Sequence, residues 1–283
     1  MQAFADSSTP EAAVSTITLP DGTERVVWRR GVGRPLLLIQ GMSGTHDHWG
    51  DEIGERLVAA GRSVVTINHR GVYRTATPEP GYTIGDLADD QAAGLEVLGI
   101  TEPIDVFGIS MGGMTALELV LRHPGSVRTL ALGCTTAGGA AMTPPAPNDI
   151  QRLFEAQQSG DRDLALRVGY EMNFSEPFWS DEPAYARFLE LSLLAPVPLK
   201  VVMSQLQAIG THDTQARLGQ ITAPVAVLHG TEDRMLPFPN HAPIHEGIVG
   251  SSFDEFEGAG HLFYQEQPQR VVEILEELSA RAA

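Results

Sequence analysis

The chain has 283 residues, 42% of them hydrophobic and 19% charged, a globular composition that excludes disordered and fibrous architectures. It carries 36 acidic and 19 basic residues, and the formal net charge of −17 argues against nucleic acid and anionic membranes as partners. Cys134 is the only cysteine, which excludes an intrachain disulfide. Because the sequence shows neither a secretory signal nor an apolar stretch of membrane-spanning length, we expect a cytoplasmic protein.

The first half of the chain predicts a β-hairpin followed by alternating strands and helices. Residues 14–19 and 23–30 alternate apolar and polar side chains around the turn dipeptide Asp21-Gly22. Near-continuous apolar runs then predict buried parallel strands at 36–39, 63–67, 104–107 and 127–132. Helical periodicity fills the intervals at 49–60, 84–98 and 111–123. On the last of these helices, Glu118 and Arg122 are predicted to form an i,i+4 ion pair.

The second half predicts a helical insertion before the alternation of strands and helices resumes. Between about 135 and 217 there is no strand signal, and four helices are predicted near 150–158, 163–171, 183–194 and 199–209. Strands at 225–228 and 252–257 then flank a helix at 242–249, and a helix at 265–281 ends the pattern. We predict an α/β fold with a mostly parallel, doubly wound sheet, whose core (1–135 and 216–283) is interrupted by a helical cap (136–215).

The strongest chemical signal is Gly108-Ile109-Ser110-Met111-Gly112, a G-x-S-x-G motif between a predicted strand and a predicted helix. Such a motif places a serine on a sharp strand-to-helix turn, where small flanking residues avoid backbone clashes. The turn lifts the serine hydroxyl clear of the sheet. Ser110 is therefore the predicted nucleophile.

A nucleophilic serine needs a base at neutral pH, and His261 is the best placed of the nine histidines. It lies in a glycine-rich loop after the last predicted strand, where it can reach the carboxyl edge of the sheet. His229 and His69, at other strand ends, are the alternatives. Asp233, just beyond the strand at 225–228, is the predicted orienting acid, and Glu232 is its competitor.

The oxyanion of an acyl-transfer intermediate needs two backbone N–H donors. Met111 supplies one at the start of its helix, directly after the nucleophile. The loop Gln40-Gly41-Met42 follows an earlier strand, and Gly41 permits a turn that points the Met42 N–H inward. The side chains of both methionines are expected to line the pocket.

The chain resembles the α/β-hydrolase superfamily over nearly its whole length, from the hairpin to the last helix. The resemblance implies that Ser110 is the nucleophile, Asp233 the acid and His261 the base. The segment Ser110-Met111-Gly112-Gly113-Met114-Thr115 is similar to enol-lactone hydrolases and cofactor-free perhydrolases. The Gln40-Gly41-Met42 loop and Phe178-Trp179-Ser180-Asp181 are similar to aclacinomycin methylesterases, which tailor polyketides.

Two departures from the superfamily bear on the substrate. Gln40 stands where members commonly have histidine, and Tyr73 where a small residue is usual. Together with Phe178 and Trp179 in the cap, these side chains are the predicted substrate-binding residues, although the cap aromatics explain a cap core equally well. The pairs His46/His48 and His241/His245 each lack an evident third ligand, so we expect no metal and no cofactor.

The predicted function is a serine hydrolase that cleaves a small, neutral, fairly apolar ester or lactone through an acyl-enzyme. Two other classes stay open. The same residues support elimination, C–C cleavage or cyclisation of a polyketide-type intermediate, and the fold also suits a ligand receptor. The sequence does not fix the oligomeric state.

Overall fold

An eight-stranded sheet forms the centre of the protein, whose computed structural model describes residues 13–282. The strands are β1 (Ala13–Thr18), β2 (Glu24–Arg30), β3 (Arg34–Ile39), β4 (Arg62–Ile67), β5 (Ile104–Ile109), β6 (Val127–Gly133), β7 (Val225–Gly230) and β8 (Ser252–Phe256). Their order across the sheet is β1-β2-β4-β3-β5-β6-β7-β8. The strands from β4 to β8 in this order run parallel, whereas β1 and β2 form an antiparallel hairpin whose second strand pairs antiparallel with β4.

Ten α-helices are described between and after the strands. They are α1 (Gly50–Ala59), α2 (Ile84–Val97), α3 (Met111–Arg122), α4 (Pro147–Gln158), α5 (Arg162–Asn173), α6 (Glu182–Leu194), α7 (Leu199–Gly210), α8 (His241–Gly247), α9 (Phe263–Glu266) and α10 (Pro268–Arg281). The predicted mostly parallel sheet with its leading hairpin is thus confirmed. Helices α4 to α7 lie between β6 and β7, and the division into a core and a cap over 136–215 stays a prediction.

The central strands are buried on both faces because successive side chains enter different cores. In β3, Leu37 and Ile39 pack into one hydrophobic cluster, which includes residues of α2 and α3. Leu36 and Leu38 pack into a second cluster, on the side of α1 and α10. This two-sided burial explains the continuous apolar runs of the sequence. Among the described residues, no helix is long and apolar enough to cross a membrane.

Two local predictions were wrong. The C-terminal helix is interrupted at Gln267 (φ −133°, ψ 57°), because a residue before proline is disfavoured in helical geometry and Pro268 starts α10. The expected pair within α3 does not form: Glu118 instead pairs with Arg217, and Arg122 pairs with Asp89 on α2. Both partners, Arg217 and Asp89, come from other parts of the chain, and the spacing of residues along α3 carries no information about them.

A buried ionic cluster fastens α10 to the sheet edge opposite to Ser110. Asp105, near the start of β5, accepts hydrogen bonds from Arg62 (2.5 Å), Arg128 (2.6 Å), Thr129 (2.7 Å) and Ser279 (2.9 Å). The side chains of Asp105 and Arg62 are only 2% and 3% exposed. Arg62 also pairs with Glu276 at 3.1 Å, but the Glu276 side chain is 37% exposed, so Asp105 is the buried counter-charge of Arg62.

Replacing Asp105 by Asn is expected to lower the free energy of unfolding by about 3 kcal/mol or more, because Arg62 and Arg128 lose their shared buried counter-charge and Arg62 keeps only the partly exposed Glu276. Urea denaturation measures this change. Glu190→Gln is the control, since Glu190 pairs with Arg187 at the surface and its loss should cost less than about 1 kcal/mol. Equal small effects of both substitutions would show that the cluster does not stabilise the fold.

Candidate active site

Ser110 occupies a strained turn between the end of β5 and the start of α3. Its backbone has φ 53° and ψ −125°, a conformation that residues other than glycine rarely adopt. The flanking glycines make this turn possible. A Cβ on Gly108 would lie 2.3 Å from the Gly112 carbonyl oxygen, and a Cβ on Gly112 would lie 2.1 Å from the Ile39 carbonyl oxygen. No other residue fits at either position.

His261 and Asp233 form a buried pair at the same edge of the sheet. His261 follows β8 and places Nδ1 2.8 Å from Oδ2 of Asp233, which follows β7. The other carboxylate oxygen accepts two backbone N–H groups, from Met235 and Leu236, each at 2.8 Å. Glu232, the competing acid of the sequence, is exposed. The acid is therefore locked in place before any substrate binds.

The pair has shifted pKa values that favour an ionised acid and a basic imidazole. Burial by itself raises the pKa of Asp233, but the charge of His261 and hydrogen bonds from His229 and His261 outweigh it and lower this pKa to about 2. Burial likewise lowers the pKa of His261, but the Asp233 carboxylate more than compensates and raises it above the ordinary value of 6.5. Asp233 is thus ionised throughout the physiological range.

Cys134 connects the serine turn to the imidazole. It directly follows β6, is fully buried, and its sulfur lies against the His261 ring and the backbone of Ser110. The Ser110 N–H also donates to the carbonyl oxygen of Gly133, the residue before Cys134, at 2.9 Å. Within residues 13–282, the Ser110 hydroxyl makes no hydrogen bond with His261. Catalytic hydrogen bonds are often long in the absence of substrate.

Among the described residues, Cys134, Asp233 and His261 form a group that could in principle bind a metal ion, because their potential ligand atoms lie within 4.8 Å of one another. The protonation states of these side chains favour hydrogen bonds between them over metal ligation. Burial raises the pKa of the Cys134 thiol, which keeps it protonated, and metal ligation needs a thiolate. Both oxygens of Asp233 already accept hydrogen bonds.

The two predicted oxyanion residues lie beside Ser110. A Cβ on Gly41 would be 3.6 Å from the Ser110 hydroxyl oxygen, so the loop that carries Met42 lies against Ser110. Met111 is the first residue of α3, and its N–H has no acceptor within the helix. Among the described residues, the Met42 N–H likewise has no hydrogen-bond acceptor. Two backbone donors are therefore free next to Ser110.

The two alternative bases are committed to other contacts. His69 is buried, and its Nε2 lies 2.9 Å from the carbonyl oxygen of Gln40. His229 places Nε2 2.8 Å from the carbonyl oxygen of Leu236 and 3.2 Å from Oδ2 of Asp233. Because both neighbours are acceptors, Nε2 of His229 carries the hydrogen and donates to them. His229 therefore supports the acid.

Glu266 attaches the His261 loop to the insertion, a contact that the sequence analysis missed. Its carboxylate accepts from the backbone N–H of Gly260 (3.2 Å) and from the N–H and hydroxyl of Ser175, at 2.9 and 2.8 Å. The N–H of Leu262 donates to the Asn173 carbonyl at the end of α5, at 2.9 Å. Leu262 is therefore tied directly to the last residue of α5, and Gly260 is tied through Glu266 to the segment that follows α5. No sequence motif around Glu266 indicates these contacts.

The four predicted substrate-binding residues do not converge on one place. Gln40 is buried and its carboxamide oxygen accepts from the next residue, Gly41, at 3.2 Å. The Tyr73 ring packs edge-on against His46 at 4.6 Å. Phe178 lines a cleft of about 310 Å³ that includes Trp49, Phe174, Arg187 and Tyr264 but not Ser110. Trp179 lies under the guanidinium of Arg234, the residue after the acid, at 4.8 Å.

An apolar cluster surrounds the two oxyanion residues instead. The side chains of Met42 and Met111 pack with residues from α2, α3 and α7, from the segments before α2 and before α4, and from the loop after Asp233. These are Tyr82, Ile84, Leu87, Met114, Met142, Ala208, Ile209 and Leu236. Methionine adapts its shape to irregular apolar groups. These side chains form the apolar cluster that adjoins Ser110.

Comparisons with known proteins agree with the fold. A family model described as the alpha/beta hydrolase fold matches residues 34–268. The AB hydrolase superfamily protein YisY of Bacillus subtilis is 27% identical over 258 residues, which cover 88% of this chain and 92% of that protein.

Two solved structures are similar along their whole length. A thermophilic esterase from Thermogutta terrifontis is 25% identical with a TM-score of 0.77, covering 95% of this chain and 99% of the esterase. The enol-lactonase from Burkholderia xenovorans is 20% identical with a TM-score of 0.80, covering 94% and 100% of the two chains, and shows the fold alone. With its sheet, its serine turn and a family match over most of its length, the chain belongs to the alpha/beta hydrolase family.

Proposed function

We propose that this protein is a serine hydrolase that cleaves a small, neutral, fairly apolar ester or lactone through an acyl-enzyme. The observation that carries the proposal is the buried His261–Asp233 pair, with 2.8 Å between Nδ1 and Oδ2, next to a serine on a strained turn. An imidazole oriented by a carboxylate is the arrangement that activates a serine hydroxyl.

The reaction assigns one task to each group. His261 takes the proton of Ser110 as the hydroxyl oxygen attacks the carbonyl carbon, and Asp233 stabilises the imidazolium that forms. The free N–H groups of Met42 and Met111 donate to the oxyanion. His261 then gives its proton to the leaving alkoxide, and a water molecule activated by the same imidazole releases the acid.

The apolar cluster around Met42 and Met111 supports an apolar acyl group in the substrate. The net charge of −17 argues against a strongly anionic one. An esterase among the similar structures agrees with an ester as substrate. The likeness to enol-lactone hydrolases and aclacinomycin methylesterases stays a prediction.

Ser110→Ala is expected to lower the kcat/KM for p-nitrophenyl butanoate by about 10⁴-fold or more, because the attacking oxygen is gone. The variant should also lose covalent labelling by a fluorophosphonate, while its thermal unfolding stays close to that of the wild type. Thr115→Ser, a conservative change in the helix α3 that follows Ser110, is the control. Retained turnover or labelling in Ser110→Ala would disprove the nucleophile, and an inert wild type would favour a ligand receptor.

The activity is expected to fall as the pH drops through a midpoint above 6.5, because His261 must be neutral and its pKa is raised. Asp233, with a pKa of about 2, contributes no second limb in this range. Initial rates between about pH 5 and 9 measure the midpoint. Asp233→Asn removes the charge that raises the pKa, so its midpoint should move down by about 1 unit or more as the rate falls. A flat profile would exclude His261 as the base.

Hydrolysis in water enriched in oxygen-18 is expected to place the heavy isotope in the acid product, since water must attack the acyl-enzyme. Mass spectrometry of the product measures its incorporation, and acid incubated with Ser110→Ala corrects for exchange. Turnover of a polyketide-type ester without incorporation would instead indicate elimination, C–C cleavage without water, or cyclisation.

A further inference from the structure

Helix α7 lies across the carboxyl edge of the sheet and packs on the loops that form the site. Near its start, Val201 packs close to Gly71 in the loop after β4. Beyond its end, the carbonyl of His212 accepts from the N–H of Gly139, in the segment after β6, at 2.9 Å. Ala208, in between, belongs to the apolar cluster around Met42 and Met111. The buried face of α7 is therefore turned toward the nucleophile and the oxyanion loop.

Gln205 sits in the middle of this buried face and is fully enclosed. Its carboxamide oxygen accepts from the backbone N–H of Ser43 at 2.9 Å and contacts the Ser43 hydroxyl at 3.4 Å. The backbone N–H of Ser43 can only donate, so it fixes which end of the carboxamide is oxygen. The Gln205 NH₂ group must point away from this contact.

That NH₂ group is buried and has no hydrogen-bond partner in the part of the chain that the structure describes. A buried donor without a partner costs about 1–3 kcal/mol, so folded proteins rarely keep one without a reason. Ser43 follows Met42 directly, which places the carboxamide one peptide unit from an oxyanion donor. The hydroxyl of Tyr82, a member of the apolar cluster beside Met42, is also buried and unpartnered.

We propose that Gln205 is a specificity-determining residue whose Nε2–H donates to a second oxygen of the substrate, close to the scissile carbonyl. The ligand class is an ester or lactone with a keto or hydroxyl oxygen on the third carbon of its acyl chain, which brings an acceptor beside the oxyanion loop. This inference rests on the proposed ester hydrolysis. Through its oxygen, Gln205 also positions the loop, because Ser43 has a positive φ of 60° that this contact helps to hold.

The test measures binding separately from catalysis. In the Ser110→Ala background, calorimetry compares ethyl 3-oxobutanoate with ethyl 3-methylbutanoate, which has a methyl group in place of the keto oxygen. We expect the 3-oxo ester to bind about 10-fold more tightly, and Gln205→Met to abolish this preference. Gln205→Glu keeps an acceptor for Ser43 but replaces the donor by oxygen. This variant should therefore bind the 3-oxo ester less tightly than it binds the 3-methyl analogue.

Ser204→Ala is the matched control, because Ser204 is a buried neighbour in the same helix whose hydroxyl donates within the helix, to the carbonyl of Lys200. The ratio of its affinities for the two esters should equal that of the parent protein, Ser110→Ala. Equal binding of both esters by the parent, or a preference that survives in Gln205→Met, overturns the proposal. Since each ratio compares two ligands on one protein, general damage to the loop does not alter it. Failure of hydrolysis in the wild type overturns the proposed function but leaves this binding test intact.

Discussion

The site depends on the left-handed backbone of Ser110. A non-glycine residue in this region costs on the order of 1–3 kcal/mol and persists only where its surroundings enforce it. Here Gly112 packs against the backbone of β3, and the Ser110 N–H donates to β6. The two strands beside β5 thus hold the turn from both sides. The strain is maintained by the sheet rather than by the loop.

Parallel pairing then gathers the remaining groups. Because β3, β5, β6, β7 and β8 all run in one direction, their carboxyl ends meet at one edge of the sheet. Met42, Ser110, Cys134, Asp233 and His261 each follow one of these strands in the chain. Residues up to about 220 positions apart are thereby placed side by side without any local motif that joins them.

Features that repeat along the chain could be predicted from the sequence, and single contacts between distant residues could not. Two-sided burial leaves continuous apolar runs, and the serine turn leaves glycines at fixed spacing, so the strands and Ser110 were recognisable. Glu118 was assigned to Arg122 because spacing along a helix says nothing about Arg217. For the same reason Gln205 and Glu266 went unnoticed, since a glutamine or glutamate on a helix usually faces solvent.

The two missed residues link the inserted helices to the proposed site. Glu266 ties the backbone beside His261 to Ser175, and Gln205 ties the oxyanion loop to α7. One contact bears on the proposed base and the other on the proposed oxyanion loop. Because Ser43 directly follows Met42, the position of α7 and the backbone of the oxyanion loop are linked through this one hydrogen bond. Under our proposal, a substrate acceptor that satisfied the Gln205 NH₂ group would add a second contact to the same carboxamide and so help to hold α7 and the loop together.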